Sequence, residues 1–146
     1  MVKRAFVFFV LMACLPTQLL AEQSRTFGDY TVHYVAFTTD VLTPSVAKHY
    51  GITRSKNRVM VNISILKNEM GISGKPVRGR VEGTATNLSE QLRELEIREF
   101  REEGAIYYIA ETQINNQETL KFDFTITPAE ETETYHLSFQ EQFYTR

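Results

Sequence analysis

Three cations stand at alternate positions in the stretch "YGITRSKNRVMVNISILK": Arg54, Lys56 and Arg58, with Ser55 and Asn57 between them. Guanidinium and ammonium groups beside neutral donors are the means by which a protein grips a carboxylate or another small anion. His33 and Tyr34, on an aromatic-rich segment upstream, could add a titrating imidazole and a phenol to such a site. The competing reading is structural. These cations lead into a strongly apolar strand, and they are also placed to pair with acids elsewhere in the chain. Surface pairs of that kind contribute only about 0–1 kcal/mol each.

Other chemistry is sparse. The three histidines, His33, His49 and His136, lie far apart in sequence, and none has a partner at ligand spacing. A metal site needs three or four converging ligands, so only folding of His33 toward His136 could begin one. No cofactor is expected. "GISGKP" has a superficial likeness to a phosphate-binding loop, but its spacing is wrong. Pro76 stands where a hydroxyl should meet magnesium, and a strand follows instead of a helix. "EQLRELEIREFREE" alternates in sign like a solvated face rather than a catalytic carboxylate pair. Asn62 and Asn87 open N-x-S sequons, but Asn62 lies inside the strongest strand pattern and both are read as chance.

The elements that must position these groups are mostly strands. "RVMVNISILK" (58–67) alternates strictly, with Val59, Val61, Ile63 and Ile65 on the core side. Residues 27–39 read as a first strand in which both faces are partly apolar. A short helix follows, with Thr43 as N-cap, Pro44 in the first helical position and Gly51 as a left-handed stop. Further strands fall at 75–86, at about 93–102, at 105–112, at 119–127 and through Tyr135, Leu137 and Phe139. Phe100 has the wrong parity for its strand, which suggests a bulge. Gly79 and Gly83 suggest close backbone approach, and the charges at 78, 80 and 82 make theirs a candidate edge strand. About seven antiparallel strands with one short helix between the first two predict an all-β, two-sheet sandwich.

The chain has 146 residues, enough for one domain. "MVKR", the apolar "AFVFFVLMACL" and a small residue at Ala21 make a secretory signal peptide over residues 1–21, cleaved after Ala21. The mature domain is then 22–146, and the expected location is the periplasm. The alternative is a lipoprotein anchored at Cys14. The apolar run is too short to span a bilayer, and no later segment is long enough. Cleavage removes the only cysteine, and with it any thiol chemistry or disulfide. The mature chain holds fourteen basic and eighteen acidic residues, net −4, which excludes a nucleic-acid binder. Residues 22–87 are net +4 and residues 88–146 net −8, so the halves should lie side by side in one domain.

"FGDYTVHYVAF" and "YGITRSKNRVMVNISILK", joined by the Thr-Pro helix and followed by "IYYIAE" and "YHLSFQEQFY", resemble the bacterial domain-of-unknown-function family 4426. The matching positions are Gly28, Asp29, His33, Tyr34 and Phe37, then Tyr50, Gly51, Arg54, Ser55, Lys56, Asn57, Arg58 and Asn62. The resemblance implies an exported protein of Gram-negative bacteria with an immunoglobulin-like β-sandwich, and it implies no activity. The expected function is a non-catalytic binding module for another periplasmic protein or a small anionic ligand. The alternatives are a metal- or anion-dependent enzyme around His33, Tyr34 and Arg54, and an assembly role through edge-strand pairing.

Overall fold

The computed structural model describes residues 22–70 and 72–146. The expected signal peptide and Cys14 lie outside the described residues. Two antiparallel sheets pack face to face, as the alternating sequence predicts. The larger runs β1 (Gln23–Phe27), β2 (Tyr30–Thr38), β3 (Arg58–Glu69), β8 (Ala105–Gln113) and β7 (Ile97–Glu102), with β4 (Ile72–Pro76) pairing the end of β3. The smaller is ordered β10 (Tyr135–Phe143), β9 (Glu118–Pro128), β5 (Gly79–Asn87) and β6 (Leu92–Leu95).

Among the described residues there are ten strands where the sequence suggests seven: β1 and most of β4 lie ahead of the expected strands, and the stretch at 93–102 is divided. The first expected strand, at 27–39, is preceded by β1, and Gly28, with a positive φ of 54°, makes the hairpin between β1 and β2. The short helix therefore follows the second strand, not the first. The expected strand at 75–86 is split at Val77 and Arg78, where the chain leaves the larger sheet for the smaller. The stretch at 93–102 breaks at Glu96, where it crosses back. No bulge is needed for Phe100. It lies on the outer face of the larger sheet, with its ring 5.1 Å from that of Tyr50.

The inward faces form one core. Val32, Val59, Ile65, Leu120, Phe122 and Ile126 are completely buried, and the Phe122 and Phe139 rings stack 5.0 Å apart. Removing apolar surface from water, at about 25 cal/mol per Å², is what holds the two sheets together. Gly83 is required here: a Cβ on it would overlap the Phe124 ring of the neighbouring strand.

Helix α1 (Pro44–Tyr50) has the expected caps. Thr43 Oγ1 accepts from the Val46 N–H at 3.3 Å, and Gly51 is left-handed at φ 64°. It lies over the outside of the larger sheet and forms a second, smaller core. Ile52, Met60 and Ile109 are buried there beneath Phe37, Tyr50, Phe100 and Tyr107. This explains why both faces of the first strand pattern carry apolar residues.

Candidate functional site

Among the described residues, nothing covers the outer face of the smaller sheet in this way. Antiparallel pairing sets its outward residues in rows. Glu82 lies opposite Thr125, which lies opposite His136, and Glu94, Thr84, Asp123 and Ser138 form the next row. A groove of about 620 Å³ runs across these rows, bordered also by Val81, Leu95 and Ile97, whose side chains pack into the core. Three carboxylates and one imidazole line it, and neither lysine nor arginine does. Asp123 is paired at 3.3 Å with Lys121, whereas Glu82 and Glu94 have no ion pair among the described residues. The arrangement presents negative charge, which suits a cationic ligand.

Local chain geometry makes the groove. Strand β6 pairs with β5 only from Gly83 to Thr86 before the chain turns through Glu96 into the other sheet. Arg93 secures this short strand: its guanidinium donates to Glu118 Oε1 at 2.6 Å and to the Gln113 carbonyl at 2.6 Å. Burial would raise the Glu118 pKa, but hydrogen bonds from Asn115 N–H, Asn87 and Arg93 outweigh it and hold the carboxyl below its usual value. Beyond β6, the Tyr108 hydroxyl accepts from the Gly79 N–H at 2.8 Å and donates to Glu99 at 3.0 Å. Burial first, then Glu99, raises the Tyr108 pKa, so the phenol stays protonated for both bonds.

The residues singled out in the sequence occupy different places. Arg54 donates to the backbone carbonyls of Leu42 at 2.6 Å and Asp40 at 3.0 Å, fastening the loop before α1. Arg58 faces Glu111 at 3.5 Å, and Arg98 holds the other oxygen of that carboxylate at 3.0 Å. Lys56 is exposed in a turn. Tyr34 points into the core, where its ring lies 4.6 Å from Phe139 and its hydroxyl donates to Gln23. His33 is on the outer face of the larger sheet, 3.2 Å from Glu22. It pairs opposite Ser64, six residues along β3 from Arg58, or about 20 Å at about 3.3 Å per residue. His33 and His136 stand on different sheets, and no cluster of three potential metal ligands forms among the described residues.

The cations of the first half do meet acids of the second. Arg58 pairs with Glu111, Arg78 with Glu99 and Lys67 with Glu130. On the larger sheet, Glu102 accepts from the Tyr50 hydroxyl at 2.7 Å and lies 3.0 Å from His49. These two bonds lower the Glu102 pKa, while burial and the Glu102 bond push the Tyr50 phenol up to about 12. The sequence marks His136 without a role and Glu82 only as an edge charge. Glu94, Asp123, Thr125 and Ser138 carried no local signal, because only strand register brings them together.

The family profile described as "Domain of unknown function (DUF4426)" matches residues 24–146. No curated protein sequence matches the chain. Among solved structures, a DUF4426 family protein from Pseudomonas aeruginosa is similar with a TM-score of 0.73 and 36% identity, covering 84% of this chain and 94% of that one. FetP of uropathogenic Escherichia coli, recombinantly expressed in the periplasm, is similar with a TM-score of 0.60 and 13% identity, covering 85% and 94%. A copper-bound variant of that FetP gives 0.57 and 12%, covering 83% and 93%. At such identities the FetP likeness is one of fold. The profile match over nearly the whole described chain and the Pseudomonas relative agree, and the protein belongs to the DUF4426 family.

Proposed function

We propose that the protein is an exported, periplasmic binding module without catalytic activity, and that its ligand-facing surface is the groove on the smaller sheet. The observation that carries this reading is the contrast in how charge is used. Arg54, Arg58, Arg78, Arg93 and Arg98 are spent on carbonyls or carboxylates of the chain itself. Glu82 and Glu94 line a 620 Å³ groove and have no ion pair among the described residues. Carboxylates left without an ion pair complement a positively charged ligand.

Export is supported by the pattern of residues 1–21 and by the fold shared with a protein expressed in the periplasm. The copper of the FetP variant is a property of that protein, and a fold likeness alone does not bring it to this chain. An enzyme built on His33, Tyr34 and Arg54 is disfavoured, because one faces outward, one is buried in the core and the third is tied to backbone carbonyls.

Affinity capture from periplasmic extract tests the proposal, comparing the native chain with the double variant Glu82→Lys/Glu94→Lys. A specific protein or small molecule retained by the native chain and lost by the variant is the expected result. Equal retention by both would place binding elsewhere.

A further inference from the structure

The two sheets are not equally wide. β10 ends the smaller sheet, while β5, an edge candidate in the sequence, lies between β9 and β6. The Tyr34 and Phe139 rings meet because β10 lies over β2, and the larger sheet continues one strand further to β1. Burial marks where the cover stops. Val32 and Tyr34 are buried, yet Arg25 and Gln23, directly opposite them on β1, are exposed. Gln23 Oε1 accepts from the Tyr34 hydroxyl, so Gln23, Arg25 and Phe27 stand on the inner face of β1. A slot one strand wide is left beside β10 and above β1.

The wall of this slot is open backbone. In an antiparallel sheet, alternate residues turn both their N–H and C=O toward the same neighbour. Asn87 bonds Gln91 and Glu90 in the β5–β6 turn, away from β9. Its partner Leu120 therefore faces β10, and Glu141, opposite Leu120, faces β9. By alternation, His136, Ser138, Gln140 and Gln142 turn their backbone groups to the open edge. β10 contains neither lysine nor proline, which commonly guard such edges. Its guard is Glu141, an inward-facing, half-buried carboxylate whose pKa burial raises. Neither Glu141 nor Arg25 has an ion pair among the described residues.

We infer that the slot takes an extended segment of a partner protein, which pairs antiparallel with β10 and extends the smaller sheet over β1. An added strand gains backbone hydrogen bonds, and its alternate side chains set specificity. Phe27 stacks on Tyr135, and Gln23 is level with Phe139 through Tyr34, so Arg25 is level with Leu137. The inward residues of the segment, from the one opposite Tyr135 to the one opposite Glu141, are then apolar, acidic, apolar and basic. The acid meets Arg25 and the base meets Glu141, and opposite charges across strands are favourable. A second copy of this chain does not fit. With its β10 in the slot, its own β2 would fall where β1 already lies. The inference stands apart from the groove, which is on the outer face of the sheet.

The probe is a short fluorescein-labelled peptide with lysine, valine, glutamate and valine in that order, separated by threonines. One control exchanges its lysine and glutamate. Another is N-methylated at the threonines, whose backbone donors face β10. Fluorescence anisotropy should show binding of the first peptide alone. Arg25→Glu, at an exposed position, should weaken it at least about tenfold, and Arg25→Glu/Glu141→Lys should prefer the exchanged peptide. On titration the Ser138 and Gln140 amides should exchange more slowly with solvent, while Leu137 and Phe139, already bonded to β9, should not. No binding of the first peptide, equal binding of the N-methylated one, or unchanged exchange at Ser138 overturns the inference. Glu82→Lys/Glu94→Lys should leave the affinity unchanged. A loss there, with Arg25→Glu harmless, would put the peptide in the groove and also overturn it.

Discussion

The two outer faces of this sandwich are built from the same kind of alternating strand and are finished in opposite ways. On the larger sheet, outward Phe37, Met60, Phe100, Tyr107 and Ile109 form an apolar patch, and helix α1 with the loop held by Arg54 closes over it. Its charges are matched, with Glu111 between Arg58 and Arg98, and Glu102 bonded to Tyr50 and His49. Around the groove of the smaller sheet, outward residues are threonine, serine, glutamate, aspartate and histidine, with Arg80 and Lys121 on the same face, and among the described residues no helix is laid over them. One face has used its side chains to complete the fold. The other keeps them available, and that difference locates the binding surface.

Several substitutions can break or sharpen the contrast. The largest effect is expected at the anchor that holds β6 short. Glu118→Gln leaves Arg93 largely buried without its charge partner and should cost about 3 kcal/mol in chemical denaturation. The same carboxylate predicts a pH dependence. Its folded pKa lies below the usual value, so its contribution is present above the ordinary carboxylate range and is lost as pH falls through the folded pKa. Native stability should therefore fall on acidification, with a shallower fall in the variant.

Tyr50→Ala comes next. It removes the ring that packs on Phe100 and Tyr107 and the hydroxyl bonded to Glu102, so a loss of about 2 kcal/mol is expected, reduced from full burial by partial exposure. Amide exchange should quicken along α1 and leave the groove unchanged. Gly83→Ala should cost about 1–3 kcal/mol by forcing a Cβ against Phe124. The smallest stability effect belongs to the bare face. Glu82→Ala and Glu94→Ala should each stay within about 0.5 kcal/mol of native in thermal or urea unfolding, while weakening ligand binding.

Much of the core and of the helix was legible in the sequence. Val59, Val61, Ile63 and Ile65 alternate inward as read, and Thr43, Pro44 and Gly51 bound the helix as read, because capping and period act over a few residues. The sheet crossings at Val77–Arg78 and Glu96 were not legible. Pleat alternation continues through both, and nothing local says that a strand is changing sheets. Phe100 looked out of phase because its partner, Tyr50, belongs to a helix fifty residues earlier. The groove was the least legible feature. Its residues come from β5, β6, β9 and β10, and they become neighbours only through a register that no spacing between 82 and 138 encodes. The cation run at 54–58 was conspicuous because it is compact in sequence, and folding disperses it.

The most direct test of the groove as the binding surface is a paired photo-crosslink in the periplasm. A photoreactive side chain would replace Ser138 in the groove of one sample and exposed Lys56 in the turn before β3 of another. The account predicts a discrete adduct from position 138 that disappears on reversing Glu82 and Glu94, and none from position 56. An adduct from position 56 with none from 138 would contradict it and return the binding surface to the cations at 54–58.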